Sequence, residues 1–296
     1  MKVAVTGSHG MIGTALVDRL RSDGHTAIRL VRSAPAGADE VRWDPDAGTI
    51  DGPALEGIDA AVHLAGEGVA EKRWSDTQKA RILDSRVNGT RTLATALTAL
   101  ADKPPVLVSG SAVGYYGARS DETLTEESAP GTGFLSEVVR AWEAATAPAS
   151  DAGVRVVHIR SGIVLSERGG ALKRQLPLFK LGVGGKLGSG KQWTSWISLE
   201  DEVRAIVHLI ETTSVAGPVN LTAPKPVTNA AFTKALAKAV HRPAVLPVPR
   251  AALNVVLGSE LAGDLLGSLR VLPAKLVASG FAFTHPTIDE AFAAIV

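Results

Sequence analysis

Short apolar runs alternate with amphipathic stretches through roughly the first two hundred residues of the chain. The apolar runs have the length of buried strands, and the stretches between them carry apolar residues at helical spacing. This pattern predicts strands at 2–6, 26–31, 40–43, 60–64, 105–109 and 155–160, with helices at 11–22, 75–101 and 134–152 between them. Alternating strands and helices indicate an α/β fold with a doubly wound parallel sheet.

The pattern changes after about residue 165. Glycine-rich turns occupy 182–190, a helix is predicted near 200–213 and a short strand at 218–222, and prolines separate short helical patterns from 243 to the end. We therefore predict a nucleotide-binding domain over residues 1–165 and a smaller substrate lobe over 166–296. Residues 198–222 are expected to return to the first domain, and a distinct C-terminal segment is expected from about 243.

A glycine-rich turn follows the first strand, with Gly7, Gly10 and Gly13 at Gly-x-x-Gly-x-x-Gly spacing. Such a triplet alone is compatible with a flexible loop. Here it follows a strand, opens a helix and is followed by a second strand, which is the context of a dinucleotide site. The glycines would allow the tight turn, the close approach of a pyrophosphate and the packing of helix on strand, while the helix N-terminus attracts the anion.

The second predicted strand ends in Val31, Arg32 and Ser33, with no carboxylate to accept from a ribose 2′-hydroxyl. A guanidinium at this position suits a 2′-phosphate instead, through a charge-assisted contact of about 1.5–3 kcal/mol. Arg32, with His9 or Ser33 as a second donor, therefore favours NADP(H) over NAD(H). The alternative is that Arg32 is a solvated surface charge.

The composition limits the partners, location and cofactors that are expected for this chain. The formal net charge of the 296 residues is +1, which gives no indication of a nucleic-acid or acidic-membrane partner. The chain has no cysteine, so disulfides and thiolate chemistry are excluded and a cytoplasmic location is expected. The first strand begins at residue 2 and no apolar run reaches the roughly 18 residues of a membrane span, so neither a signal peptide nor a membrane anchor is predicted. Histidines lack metal-ligand spacing, and no metal is expected.

A set of ordered motifs extends along the whole chain. They are Thr6-Gly7-x-x-Gly10-x-x-Gly13, Leu64-Ala65-Gly66-Glu67, Arg73-Trp74, Ser85-Arg86-Val-x-Gly89-Thr90, Ser109-Gly-Ser111-Ala-x-Gly-Tyr115-Tyr116-Gly117, Trp142-Glu143, Arg160-x-Gly162-x-Val-Leu165, Gly188-x-Gly190-x-Gln192-x-x-x-Trp196-Ile197 and Gly280-Phe-x-Phe283. Together they resemble the extended and atypical short-chain dehydrogenase/reductase superfamily, in particular its epimerase-like branch of unassigned substrate with its own C-terminal domain.

The resemblance implies a Rossmann-type domain with a substrate lobe above it. It also implies a set of cofactor-binding residues: Gly7, Ser8, Gly10, Met11, Ile12, Gly13, Arg32, Leu64, Ala65, Gly66, Glu67, Arg86, Ser109 and Arg160. For Glu67 and Arg86 the alternatives are a solvated loop charge and a surface ion pair.

The chain departs from the superfamily at its usual acid/base. Most members carry a Tyr-x-x-x-Lys pair on the helix after the fifth strand, where the lysine lowers the pKa of the tyrosine, which exchanges a proton with the substrate oxygen. Here Phe134 stands at the tyrosine position and Val138 at the lysine position. The usual proton donor is therefore absent.

Three nearby hydroxyls are candidate replacements. Ser111 stands where the superfamily has its substrate-polarising hydroxyl, and Tyr115 and Tyr116 follow on the same loop. A phenol needs a neighbouring cation, such as Arg86 or Arg160, to act as a base at neutral pH. The alternatives are a turn role for Ser111 and loop packing for the tyrosines.

The sequence thus predicts an NADP(H)-dependent oxidoreductase or epimerase-like enzyme. Its substrate would be a polar small molecule with a carbonyl or hydroxyl group, and no nucleic acid or membrane partner is expected. The competing hypothesis is a regulatory or redox-sensing protein that binds NADP(H) without turnover.

Overall fold

The computed structural model describes residues 1–296. In chain order, the strands are β1 (Lys2–Thr6), β2 (Thr26–Val31), β3 (Glu40–Asp44), β4 (Thr49–Ile50), β5 (Ala60–His63), β6 (Val106–Ala112), β7 (Thr123–Leu124), β8 (Arg155–Ser161), β9 (Ile163–Leu165), β10 (Trp193–Thr194), β11 (Trp196–Ser198), β12 (Gly217–Leu221), β13 (Val227–Thr228) and β14 (Arg270–Val271). Eight of them form one sheet in the order β12-β8-β6-β5-β1-β2-β3-β4. All pairings in this sheet are parallel except β3 with β4. The predicted doubly wound parallel sheet is confirmed.

Eleven helices accompany the strands, and some of them cover the two faces of this sheet. They are α1 (Met11–Ser22), α2 (Asp76–Thr98), α3 (Phe134–Ala144), α4 (Ala147–Asp151), α5 (Gly170–Lys180), α6 (Leu199–Glu211), α7 (Asn229–Ala239), α8 (Arg250–Leu257), α9 (Ser259–Leu265), α10 (Ala274–Ala278) and α11 (Ile288–Ile295). Two 3-10 turns lie at Pro53–Leu55 and Val113–Tyr116. No helix combines the length and apolar character that crossing a membrane requires.

Alternation along β1 shows why the sheet is covered on both sides. Val3 and Val5 belong to a core cluster with residues of α1 and α6, whereas Ala4 belongs to a second cluster with residues of α2 and α4. Because successive side chains of a strand point to opposite faces, an all-apolar strand requires an apolar layer on each side. This requirement places α1 and α6 on one face and α2 and α4 on the other.

The predicted elements of the first 165 residues lie close to their predicted bounds, with one interruption, whereas the short strands β4, β7 and β9 were not predicted. The helix predicted over 134–152 is divided into α3 and α4. Pro148 lies at the start of α4, and its nitrogen has no hydrogen to donate to the carbonyl of Ala144, so one continuous helix would lose that bond. The strand predicted at 218–222 is β12, which pairs with β8 at the edge of the sheet.

Part of the chain from β9 onward forms a separate core beside the sheet, whereas α6 and β12 belong to the sheet and its cover. The large buried side chains of this separate core include Leu172, Phe179, Trp196, Phe232 and Phe292. Helices α5 and α7 contribute to this core, and neither was predicted from the sequence. The division at about residue 165 remains a prediction.

The strand order positions the candidate site. β1 lies between β2 on one side and β5 on the other, so the chain leaves the centre of the sheet in opposite directions. At such a reversal the loops that follow neighbouring strands diverge and leave a crevice at the carboxyl edge.

Candidate cofactor and active site

The turn between β1 and α1 is closed by contacts that only glycine permits. Gly7 has φ +65°, and a Cβ there would lie 2.8 Å from the carbonyl carbon of Leu64. A Cβ at Gly13 would lie 2.2 Å from the carbonyl oxygen of Gly7. The amide of Gly10 donates to the same oxygen at 2.9 Å. The first turn of α1 is therefore packed directly on the glycine turn, with its amides facing the crevice.

Thr6 joins this turn to the end of β5. Its Oγ1 accepts from the amides of Leu64 at 3.0 Å and Ala65 at 3.3 Å. With those acceptor positions used, its proton goes to Nδ1 of His63 at 2.8 Å, which leaves the histidine hydrogen on Nε2. Burial, followed by the charge of Arg86, lowers the pKa of His63 to about 4, so the ring is neutral at physiological pH. His63 is a core residue, as its position on a buried strand indicated.

A cavity of about 320 Å³ opens above this junction. It is lined by the glycine turn (residues 7–10), the end of β2 (30–32), the β3–β4 region around Trp43 and the segment after β5 (64–67). Arg32 is exposed at one side of this cavity and forms none of the ion pairs of the chain. The structure thus brings eight of the predicted cofactor residues together: Gly7, Ser8, Gly10, Arg32, Leu64, Ala65, Gly66 and Glu67.

Arg86 lies beneath the segment after β5. Its Nη1 donates to the carbonyl oxygens of Glu67 at 2.9 Å and Ile82 at 3.0 Å, and its guanidinium lies 4.9 Å from the Trp142 ring centre. Burial lowers the pKa of Arg86 to about 10, which leaves the side chain cationic at neutral pH. No carboxylate forms an ion pair with it. A partly buried cation without an anionic partner is electrostatically suited to an anion in the crevice.

A second polar cluster lies at the carboxyl ends of β6 and β8. Ser111 on β6 and Arg160 on β8 are register partners, and both reach Glu143 on α3. Ser111 Oγ donates to Glu143 Oε1 at 2.6 Å, while Arg160 Nε and Nη2 donate to the two carboxylate oxygens at 2.8 and 2.9 Å. Ser111 is 6% exposed and Arg160 3% exposed, so the ion pair is almost fully shielded from water.

The two tyrosines differ in accessibility. Tyr116 has no exposed surface; its hydroxyl donates to Asn220 Oδ1 at 2.7 Å and accepts from Arg160 Nη1 at 3.1 Å. Burial raises the pKa of Tyr116, so its phenol is a weaker acid than in water. Tyr115 is partly exposed, and the Arg160 guanidinium carbon lies 3.4 Å from its ring centre. The structure therefore leaves Tyr115, and not Tyr116, in a position to meet a ligand.

Other predicted residues lie outside the cavity. Ser109 has no exposed surface, and Arg160 is committed to Glu143, so neither side chain has free surface for a cofactor. Ile12 packs against the core on the α1 face of the sheet, and Met11 contacts the backbone turn at Gly169. Gly13 contributes to the site by its close contact with Gly7, which lets α1 pack on the glycine turn.

Phe134 and Val138 occupy the first turns of α3. Val138 is 2% exposed, and Phe134 packs edge-on against Trp74 with 5.0 Å between ring centres. The Nζ of Lys79 lies 5.5 Å from the Phe134 ring centre and forms an ion pair with Glu260 on α9. A lysine is therefore present near position 134, but it comes from α2.

Glu143 is the residue that sequence reasoning missed. The sequence places it in a Trp-Glu motif to which no role was assigned. A signal was available: a hydroxyl and a guanidinium end two strands predicted to be parallel, and a buried guanidinium is normally paired with a carboxylate. The helix between those strands carries such a carboxylate at position 143.

Known proteins resemble this chain over its full length. The sequence profile of the NAD dependent epimerase/dehydratase family matches residues 3–221, and that of a domain of unknown function, DUF1731, matches residues 248–295. Epimerase family protein MT2273 of Mycobacterium tuberculosis is 47% identical over 290 residues, which cover 98% of this chain and 95% of that protein. Human epimerase family protein SDR39U1 is 36% identical, with the whole of both chains covered.

Two solved structures extend the comparison. The crystal structure of human SDR39U1 (isoform 2) with NADPH superposes with a TM-score of 0.92 at 35% identity, covering 100% of this chain and 99% of that chain. A nucleoside-diphosphate sugar epimerase from Corynebacterium glutamicum gives a TM-score of 0.83 at 40% identity, covering 100% of this chain and 58% of that longer chain. The chain belongs to the NAD dependent epimerase/dehydratase family, in its SDR39U1-like group of atypical short-chain dehydrogenases/reductases with an additional C-terminal domain.

Proposed function

We propose that this protein is an NADP(H)-dependent oxidoreductase or epimerase-like enzyme that acts on a hydroxyl or carbonyl carbon of a polar small molecule. The observation that carries the cofactor part is Arg32, an exposed guanidinium without an ion-pair partner, beside the cavity that the glycine turn lines. The crystal structure of the human relative with NADPH supports the same assignment.

The residues around the cavity suit the parts of such a cofactor. Amides at the start of α1 would hold the pyrophosphate, and Arg32 would hold the 2′-phosphate. Arg86 would add positive charge below the segment after β5. When bound, NADP(H) supplies a hydride donor or acceptor at its nicotinamide ring. The chain itself must then supply proton exchange for the substrate oxygen.

We expect Arg32→Ala to weaken NADPH binding roughly 10- to 100-fold and to leave NADH binding nearly unchanged. A charge-assisted hydrogen bond contributes about 1.5–3 kcal/mol, and tenfold in affinity corresponds to about 1.4 kcal/mol. Fluorescence titration of the purified protein with each reduced cofactor measures both dissociation constants.

Arg91→Ala is the matched control, since Arg91 is an exposed arginine on α2 and does not line the cavity. It removes the same formal charge and should change neither dissociation constant by more than about twofold. Equal affinity of the wild type for NADPH and NADH would contradict the cofactor assignment.

A second candidate is a protein that binds NADP(H) without turnover. Phe134 favours it, because the position that holds the catalytic tyrosine in most of the superfamily carries a side chain without a proton to exchange. Two measurements separate the candidates. The first is absorbance at the reduced-cofactor band with UDP-glucose, propan-2-ol or cyclohexanol plus NADP⁺, and with matched ketones plus NADPH. The second is chromatographic detection of an epimer of UDP-glucose, because an epimerase returns the hydride and leaves no net reduced cofactor. UDP-glucose is included because of the sugar nucleotide epimerase among the relatives. Tight cofactor binding with no hydride transfer to or from any probe would favour the binding protein.

A further inference from the structure

Ser111 uses its only proton inside the protein. A serine hydroxyl has one hydrogen and two acceptor lone pairs, and the hydrogen of Ser111 is donated to Glu143 Oε1 at 2.6 Å. Toward a ligand, Ser111 therefore presents acceptors only. A carbonyl oxygen, which needs a donor, finds none there, whereas a ligand hydroxyl can donate to it. This changes the expected role of Ser111, which was to polarise a carbonyl.

Glu143 is held as a carboxylate. Burial by itself would raise the pKa of Glu143, but the hydrogen bonds and charge of Arg160, with the hydrogen bond from Ser111, outweigh it and hold the pKa below its usual range. The paired Arg160 has a raised pKa and stays cationic. At neutral pH the Glu143 carboxylate therefore carries no proton, so it can accept one but has none to give.

The other charged and titratable groups around Glu143 do not reverse this. His158 on β8 shares a hydrogen bond of 2.9 Å with Thr146. Burial lowers the pKa of His158; the charge of Glu143 opposes this shift and that of Arg160 adds to it, and the ring is neutral at physiological pH. From α2, the Arg86 guanidinium lies 4.9 Å from the ring centre of the neighbouring Trp142, and Tyr115 and Tyr116 pack on Arg160. None of these groups brings a second carboxylate close to Glu143, so none of them opposes its ionisation.

We propose that Ser111 and Glu143 form a proton-accepting pair that stands in for the missing Tyr-x-x-x-Lys pair, and that the molecule this site accepts for chemistry is an alcohol. The inference rests on the proposed function. Ser111 is the group that touches the substrate, Glu143 acts through it, and Arg160 fixes the carboxylate with two hydrogen bonds.

The step balances as an alcohol oxidation. The hydrogen on the substrate carbon leaves with its electron pair to NADP⁺, which is reduced to NADPH, and the carbon–oxygen bond becomes a carbonyl. The hydroxyl proton moves to Ser111 Oγ as the proton of Ser111 moves to Glu143 Oε1. In an epimerase the reverse step returns hydride and proton to the other face of the same carbon.

The test compares Ser111→Ala, Glu143→Gln and Glu143→Asp with the wild type, using UDP-glucose, propan-2-ol and cyclohexanol as the alcohols with NADP⁺. We expect kcat to fall about 100-fold or more in Ser111→Ala and Glu143→Gln, with partial recovery in Glu143→Asp and less than twofold change in NADPH affinity. The double variant should be no slower than either single one, because the two residues act as a unit. Glu137→Gln, an exposed position on the same helix, is the control.

The pH profile separates this pair from a tyrosine base. With a carboxylate acceptor the wild-type rate should be flat between about pH 6 and 9 and fall only in the acid range, below the ordinary titration of a glutamate. A tyrosine acting as the base would give a rate that rises toward its ordinary pKa near 10. A rising alkaline limb would overturn the proposal and assign the role to Tyr115.

The remaining outcomes are also decisive. If Ser111→Ala turns over the alcohol at the wild-type rate, this inference is overturned and the proposed function remains intact. Because this variant keeps the Glu143–Arg160 pair, its result is decisive even if Glu143→Gln does not fold. Cofactor binding without hydride transfer from any probe overturns the proposed function and this inference with it.

Discussion

We expect Gly13→Val to abolish measurable NADPH binding and to lower the free energy of unfolding by about 3 kcal/mol or more. A Cβ at this position would lie 2.2 Å from the Gly7 oxygen, 2.8 Å from the Gly7 carbon and 2.9 Å from the Ser8 Cα. All three are backbone atoms, so the clash is relieved only by moving α1 away from the glycine turn. Fluorescence titration with NADPH and urea unfolding measure the two effects.

Gly263→Ala provides the control for a glycine that the packing does not require. Gly263 lies in α9, and a Cβ there meets no atom within 4 Å. Because alanine favours helix, this variant should be as stable as the wild type or up to about 1 kcal/mol more stable. If Gly13→Val keeps the wild-type NADPH affinity, then contact between α1 and the glycine turn is not what forms the cofactor cavity.

The central sheet could be predicted from the sequence because its strands are buried on both faces. A parallel strand of this kind contains a short apolar run, as in Val3–Val5 of β1 and Ala60–Val62 of β5. The chain after β9 lacks this regularity. Helix α5 contains Pro177 and begins at Gly170, directly after Gly169, features that argue against a helix locally, yet Leu172 and Phe179 are buried in the core beside the sheet. Tertiary packing overrides local propensity there.

One part of the candidate site could be predicted from the sequence and another part could not. The glycine turn and Arg32 are local in sequence, so their roles follow from one βαβ unit. The Ser111–Glu143–Arg160 cluster depends on the register of β6 with β8, in which Ser111 pairs with Arg160, and on the docking of α3 over both strands. A shift of one residue in that register would turn these side chains to opposite faces. Sequence order alone does not fix such a register.

Glu202 gives the largest expected effect of pH on stability. It lies on α6 with no exposed surface, Ser161 Oγ donates to its Oε1 at 2.5 Å, and its Oε2 has no hydrogen-bond partner. Burial, only partly opposed by that hydrogen bond, raises the pKa of Glu202 from 4.5 to about 8. No cation faces it, so the side chain is a neutral acid at physiological pH.

The raised pKa makes the folded state less stable as pH increases. Below pH 4.5 both states hold the proton, whereas between pH 4.5 and about 8 the folded chain keeps a proton that the unfolded chain has lost. Each pH unit in that interval therefore costs the folded state up to about 1.4 kcal/mol. The stability that the protonated Glu202 provides is complete below the unfolded pKa and is lost as pH rises through the folded pKa.

We expect Glu202→Gln to match the wild type near pH 4.5 and to exceed its free energy of unfolding by roughly 4 kcal/mol at pH 9, since glutamine keeps the acceptor for Ser161 without a titrating proton. Urea unfolding at pH 5, 7 and 9 measures the difference. Glu200→Gln, at an exposed position two residues earlier in the same helix, removes a carboxyl group that faces solvent and should shift stability by less than about 1 kcal/mol, equally at pH 7 and 9. A difference between Glu202→Gln and the wild type that does not grow with pH would mean that the Glu202 carboxyl is ionised in the folded protein at neutral pH.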